Sequence, residues 1–561
     1  MLLKKIPALI MISVAMLLMA SCKKSNTQGR FIPSDASMIV HVNAASLSEK
    51  LPWTEVKQNE FFQKMYADTS LSSVAKSALD NPENTGVDIK KDLIFFAMKD
   101  STGTYVAFEG SIKDAAKFKA YNTASLKKAA ATQKDGIEYL STDDVTVSWD
   151  NKKFIVVADA PTDNVRYTEN PWMDSAFKKL NIDSLAKTAP KTDRNELLTA
   201  TQLHSLAAKA SMSENERFGK LVTGKGDLHF YVNIEGLSTA DGGMPGMSMV
   251  NMSKLTQGAV ATGTANFENG KIEMDLMFYA NKEMTSFWKK YAGNNINEDL
   301  LKRLPAKDVA VFMAMNFKPE GLKEFLKITG MDGFVSLGAP MLGFSLDDFI
   351  KANKGDLVFS VADLAKDSTT QPQASIFFAA SVNDKPSFDK LVASGKKFGG
   401  EIKSQINTPL FFYYNEQYFS MGNNQAAVDQ FVSKQGNSQL DFYKKITTGP
   451  IAGYVNMQYI IGIMQADAGK DSLTQVSLTA ASKMWDNIMI SGGTFKNDGL
   501  SQHVEINLVD KSTNSLKQLN QYMGVVGSVA QQKSKELQPK SQGEQMLLPG
   551  STPVAMILKR L

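Results

Sequence analysis

Four histidines and one methionine-dense loop are the side chains of this 561-residue chain best suited to acid–base chemistry or metal ligation. His41 and His229 fall in alternating apolar stretches, while His503 alternates with Ser501, Glu505 and Asn507, a polar series of the kind that faces solvent. Folding would have to assemble any histidine–carboxylate pair, and the plainer expectation is ordinary surface or satisfied histidines. The loop Gly242–Met252 (G-G-M-P-G-M-S-M-V-N-M) sets four thioethers within nine residues. Soft thioethers suit Cu(I), which makes Met244, Met247, Met249 and Met252 weak copper candidates. With 28 methionines in the chain, the same residues also read as adaptable hydrophobes, and no metal is assigned. Pairs spaced S-x-x-K occur at Ser73/Lys76, Ser175/Lys178, Ser184/Lys187, Ser286/Lys289 and Ser387/Lys390. No K-T-G triplet accompanies them, so they read as chance in a Ser- and Lys-rich chain. G-x-S-x-G, H-E-x-x-H, the P-loop pattern and a strand-borne G-x-G-x-x-G are missing too. The sequence therefore names no catalytic residue and implies no cofactor.

Composition narrows the classes further. A chain that is 43% hydrophobic and 21% charged is globular rather than disordered. Its length allows two to four domains, each able to bury a core. A single cysteine excludes disulfide scaffolds, cysteine zinc sites and redox dithiols. With 62 basic against 58 acidic residues, interspersed, there is no electrostatic case for nucleic acid.

The one cysteine has a specific context. Lys4 and Lys5 precede an apolar run from Ile6 to Met19, too short to span a bilayer and suited to a signal h-region. Leu17–Cys22 (L-L-M-A-S-C) resembles a bacterial lipobox, with Met19 where Leu is usual. That resemblance implies cleavage before Cys22, diacylation of its sulfur and a lipid-modified N-terminus. Several acyl chains anchor stably where one does not. Lys23 and Lys24 follow, without the Asp of an inner-membrane retention signal or the acidic pair of a surface-export signal. The expected location is the outer membrane, facing the periplasm.

Self-comparison reveals the organisation of the rest. The stretch Pro33–Asn43 returns as Pro305–Asn316, with Asp35 eight residues before Asn43 and Asp308 eight before Asn316. Asp92–Phe96 returns as Asp356–Ser360, each followed by a K-D-S-T run, an apolar strand and a helix around Phe118 or Phe388. Tyr231–Asn233 returns as Tyr454–Asn456, and Phe267–Gly270 as Phe495–Gly499. The matching copies of His41 and His229 are Ala314 and Ala452. Asn43, Asn233, Asn316 and Asn456 each close such a strand, a role for which hydrogen bonding to nearby backbone is sufficient reason. Asn269-Gly270 and Asp498-Gly499 predict two hairpin turns. Aligning the two glycines leaves the apolar faces of the following strands out of phase, so a one-residue bulge or shift is required.

The expected fold class is α+β: two homologous tandem halves, each of antiparallel sheet packed with helices. Helices are predicted at Trp53–Tyr66, Leu71–Leu79, Ala115–Tyr121, Glu196–Ala210, Pro319–Thr329, Pro386–Lys396 and Ser515–Tyr522. The boundaries are a signal peptide (1–21), a tether (22–30), a first half (31–300) with a helical insertion near 161–212, a second half (301–525) and a polar tail (526–561). The C-K-K lipobox, the F-I-P-S-D-A-S opening and the repeated D-L-I-F-F block together resemble a family of Bacteroidota lipoproteins known only as a domain of unknown function. That resemblance implies location and a duplicated build and brings no catalytic residue. The functional expectation is a lipid-anchored, non-enzymatic binding or scaffolding module, membrane-attached and meeting an envelope protein or ligand. The alternatives are an envelope hydrolase acting on glycan or peptide, or a carrier of apolar cargo.

Overall fold

The computed structural model describes residues 27–68, 71–127, 129–159, 195–235, 252–304, 308–333, 343–365, 373–402, 410–433, 442–467 and 472–537. Cys22, Met244, Met247, Met249 and residues after 537 lie outside that set, as does most of the expected insertion. The fold mixes helices with antiparallel sheet. The first ten strands are β1 (Met38–Val42), β2 (Leu93–Asp100), β3 (Gly103–Ser111), β4 (Ala130–Lys134), β5 (Ile137–Ser141), β6 (Val145–Trp149), β7 (Lys153–Asp159), β8 (Leu228–Asn233), β9 (Val260–Glu268) and β10 (Lys271–Tyr279). The remainder are β11 (Val309–Asn316), β12 (Asn353–Ala365), β13 (Gln373–Val382), β14 (Phe411–Tyr414), β15 (Tyr418–Gly422), β16 (Ile451–Asn456), β17 (Trp485–Lys496) and β18 (Gly499–Leu508).

All of them join one continuous sheet. From one edge the order is β4-β5-β6-β7-β3-β2-β1-β8-β9-β10. It continues as β18-β17-β16-β11-β12-β13-β15-β14. Every pairing is antiparallel. Read outward from the β10–β18 junction, the two runs use their strands in the same succession, and the first adds β5 and β4 at its edge. The junction itself is regular, from Lys271 opposite Asn507 to Phe278 opposite Leu500.

The phase problem in the hairpins is resolved at the turns. Glu268 pairs with Lys271 around Asn269-Gly270. In the second hairpin Lys496 pairs with Gly499, so the turn residues are Asn497 and Asp498, at φ 50° and 60°. The predicted Asp498-Gly499 turn thus lies one residue too late, and Gly499 is the first strand residue. Asn and Asp tolerate left-handed backbone because their short polar side chains bond locally. That one-residue shift of the turn restores the phase, and β17 carries a separate irregularity, a register shift between Gly492 and Thr494. Gly492 and Gly493 carry it at φ 144° and 77°, values that a side chain would resist.

Directly opposed residues share a face of the sheet, so the register divides every strand into two sides. One side carries both main cores. In the first run Ile39, Ile94, Phe96, Tyr105, Ile155 and Tyr231 pack under Leu203, Met212, Phe218 and Val222. In the second, Phe312, Val358, Phe377, Ala452 and Met489 pack under Leu300, Leu301, Leu304, Val428 and Phe431. On the opposite side, helix Ala115–Ser125 brings Phe118 onto Val147, Phe154 and Val156. Helix Lys385–Ile402 brings Phe388 onto Val382.

Several helices depart from their predicted limits. Trp53–Tyr66 is divided into Trp53–Val56 and Glu60–Tyr66. Asn59 interrupts it by accepting from Phe61 N and Phe62 N as an N-cap. Glu196–His204 stops earlier than predicted and gives way to 3₁₀ turns. The last helix, Ser515–Leu537, runs well past Tyr522, so residues 526–537 are helical rather than tail. It docks on the first half through Lys517 to Glu55 at 2.7 Å and through Asn59 Nδ2 donating to Asn520. Among the described residues no helix is long and apolar enough to cross a membrane.

Candidate functional site

Of the residues picked out above, the histidines are the ones that folding brings together. β1 and β8 are neighbours, and His41 stands directly opposite His229 with the two Nδ1 atoms 3.0 Å apart. One ring must therefore carry its proton on Nδ1 and donate to the bare Nδ1 of the other. Both rings are buried. His41 Nε2 lies 3.5 Å from Asp92 Oδ2, to which Gln28 Nε2 donates. The nearby His41 imidazole, more than any other group, holds the Asp92 carboxyl below its ordinary range. Burial first, and then the charge of His41, push His229 below an ordinary imidazole.

The same lateral row of the sheet passes through Ile94 to Glu109, then through Ile155 to Ser148. Burial raises the Glu109 carboxyl to about 8, so it is protonated at neutral pH. Ser148 Oγ sits 3.0 Å from His204 Nε2, and burial lowers the pKa of that ring. These groups could exchange protons, yet Ile39, Phe96, Tyr105 and Ile155 of the first core surround them. They are core polar groups that are only partly satisfied, since His41 Nε2, His229 Nε2 and Glu109 Oε2 have no hydrogen-bond partner among the described residues. Ala314 and Ala452 oppose one another at the matching register in the second half. The sequence could not show the pairing of the histidines, because β1 and β8 meet across 188 residues of chain.

Two of the recurrent asparagines serve the backbone directly. Asn43 accepts from Ser46 N at 3.1 Å and Asn456 from Tyr459 N at 3.0 Å, capping the helices that follow. Asn316 Nδ2 donates to Asp356 Oδ1 at 2.7 Å, and Asp356 also accepts from Ser381. Asn233 simply ends β8, opposite Val260. Asp35 and Asp308 are exposed. Asp227, which the sequence did not single out, is a buried hub that accepts from Ser46 Oγ, Lys50 Nζ and Phe267 N at 2.5, 2.7 and 2.6 Å. Of the S-x-x-K pairs, Ser286 bonds its own helix and Lys390 pairs with Asp348. Met252 opens a short helix, Met252–Thr256.

Two open features remain. A depression of about 420 Å³ is lined by Lys290, Tyr291, Asn316, Phe317, Lys318 and Lys354. Its lysines are partly engaged, Lys290 with Glu324 at 3.0 Å and Lys318 Nζ with the Lys290 carbonyl at 3.2 Å. The larger feature is the side of the second-half sheet turned away from its main core. Phe412, Phe359, Ile376, Met313, Met315 and Ile451, on five of the six strands from β16 to β14, all point to this side and are 37–59% exposed. One lateral row there runs Phe412, Met421, Phe378, Phe359, Met313 without a polar residue. It continues through Gly453, Ile490 and Val504 to Met274 on the first half. A contiguous exposed apolar patch of this kind marks an interaction surface. Hydrophobic alternation in each strand was visible in the sequence, but a strand apolar on both sides reads there as simply buried.

A match to DUF4836, a domain of unknown function, spans residues 29–188. No curated protein sequence matches the chain. Among solved structures, three crystal forms of TP0453 are similar to it. Form IV has 12% identity, covers 44% of this chain and 78% of that one, and gives a TM-score of 0.24. Form I has 12% identity, 46% and 80% coverage and a TM-score of 0.22. Form III has 11% identity, 49% and 90% coverage and a TM-score of 0.24. At such TM-scores the likeness carries no argument about this chain.

Proposed function

We propose that this protein is a lipid-anchored, non-enzymatic binding module of the cell envelope. In this reading Cys22 holds it in the outer membrane facing the periplasm, and a duplicated α+β unit forms the sheet. The open apolar side of the second half receives an apolar ligand. The observation that carries the proposal is the exposed set Phe412, Phe359, Ile376, Met313, Met315 and Ile451 on one side of the strands from β16 to β14. Burying such side chains contributes about 25 cal/mol per Å² of apolar surface removed from water, so a ligand spanning several strands gains substantially. The matching strand succession either side of β10–β18 supports the duplication, and the lipobox-like L-L-M-A-S-C supports the anchor.

Titration with a fluorescent long-chain fatty acid tests the binding surface. The unsubstituted protein should saturate, and the Met313→Glu/Phe359→Glu variant should bind at least tenfold more weakly with its thermal unfolding little changed. Equal binding by the two proteins would remove this surface from consideration, and no binding by either would remove the apolar ligand.

A further inference from the structure

The β10–β18 junction holds a different kind of chemistry on its other side, independent of the apolar surface. Glu273 and Glu505 stand directly opposite one another, as do Asp275 and His503. Like charges opposed across a strand pair are destabilising unless a cation lies between them. Only Lys271 supplies one within this group: its Nζ contacts Glu273 and lies 3.8 Å from Glu505. One ammonium among three carboxylates leaves the cluster negative.

The imidazole makes this more than an acidic patch. His503 Nδ1 is 2.8 Å from Asp275 Oδ1. If Nδ1–H donates there, the lone pair is on Nε2, the nitrogen 3.7 Å from Glu505 Oε1. A carboxylate that fixes the ring through one nitrogen while the other faces further ligands is the usual outer support of a metal-binding histidine. Donor atoms of Glu273, His503 and Glu505 all lie within 4.8 Å of one another. A modest contraction of side chains that are only partly buried would bring them onto one ion.

We infer that Glu273, His503 and Glu505 form a site for a first-row divalent cation such as Zn²⁺, with Asp275 orienting the imidazole. One nitrogen and two carboxylate donors suit such an ion better than Ca²⁺, which takes oxygen ligands alone. Water completes the coordination, since the site opens to solvent. Because its ligands come from the last strand of each half, the bound ion links the two halves. Lys271 occupies the same carboxylates and competes with the metal.

The test is calorimetric titration of ZnCl₂ into the chelator-treated full mature chain. Zinc also discriminates this site from the thioethers of the methionine loop, which favour softer ions. One equivalent should bind in the micromolar range or tighter. His503→Ala should weaken binding at least tenfold, Asp275→Asn by roughly 10–100-fold, and Lys271→Met should strengthen it. Near-UV circular dichroism checks that each variant keeps its fold. No binding by the parent at 100 µM zinc (about the weakest affinity that could be read as a site), or unchanged binding in His503→Ala, overturns the site. Weaker binding in Lys271→Met contradicts the competition and overturns it as well.

Discussion

Glu109 shows how a single buried group sets the pH response of the first half. Its carboxyl is raised to about 8 by burial, whereas in the unfolded chain it titrates near 4.3. The folded state therefore binds more protons between those values, and this contribution to stability is lost as pH rises from about 4.3 towards 8. His229 acts in the opposite sense. Burial lowers its pKa, so its contribution is present above about 6.5 and is lost as pH falls below that value. Glu109→Gln removes the first titration and keeps the second. Urea unfolding at pH 5, 7 and 8 should show the variant more stable at pH 7 by roughly 3 kcal/mol, with the decline towards pH 8 abolished. An unchanged profile would mean that the carboxyl is not protonated in the folded protein. Neither effect is legible in the sequence, because nothing in F-E-G-S at Phe108–Ser111 distinguishes a buried glutamate from a solvated one.

The two hairpins illustrate what an element's sequence determines. Both turns were legible from Asn, Asp and Gly between alternating runs, and the first lies where it was expected, but the register of the second was not legible. Phe495 pairs with Leu500 and Lys496 with Gly499, so Asn497 and Asp498 take the positive φ and Gly499 does not. The strands β10 and β18 settle the competition, because a slip of one residue would turn Val504 and Ile506 away from Met274 and Ile272. Asp498→Val places a β-branched residue in left-handed backbone and should destabilise the protein by about 1–2 kcal/mol, read as a lower urea midpoint. Gly499→Ala meets a different obstacle: its Cβ would lie 2.8 Å from the Phe278 carbonyl oxygen, so any loss of stability there comes from packing and not from positive φ. The last helix teaches the complementary lesson. Its sequence after Tyr522 is increasingly polar, yet the helix continues to Leu537, with Gly527 close against Phe61 and Lys533 Nζ donating to Thr474 Oγ1 at 3.0 Å. Tertiary contact outweighs weak propensity there.

At the level of the molecule, a continuous sheet joins two capped cores, and each side of it has a different character at the junction. On the core side the strip between the caps is polar, with Glu273, Asp275, His503 and Glu505. On the other side the row is apolar from Met274 through Ile490 to Phe412. A lipid anchor would hold both surfaces near a membrane. Cys22→Ser should abolish incorporation of labelled palmitate and move the protein from the membrane to the soluble fraction. Continued palmitate labelling of the variant would refute attachment at Cys22. Loss of the anchor should leave fatty-acid binding by the apolar surface unchanged, since that surface lies on the folded sheet.

The sequence by itself determined the strand-and-helix composition, the repeated strand motifs and the lipobox-like stretch Leu17–Cys22. Those are local properties: alternation, turn residues and short spacings act over a few residues and can be read from them. Only the tertiary structure decided which strands are neighbours. That choice depends on contacts between residues up to several hundred positions apart, set by the burial of apolar faces and the satisfaction of backbone hydrogen bonds. It made His41 and His229 partners inside a core, opposed Asp275 to His503 at the junction, and left Met313, Phe359 and Phe412 facing outwards together.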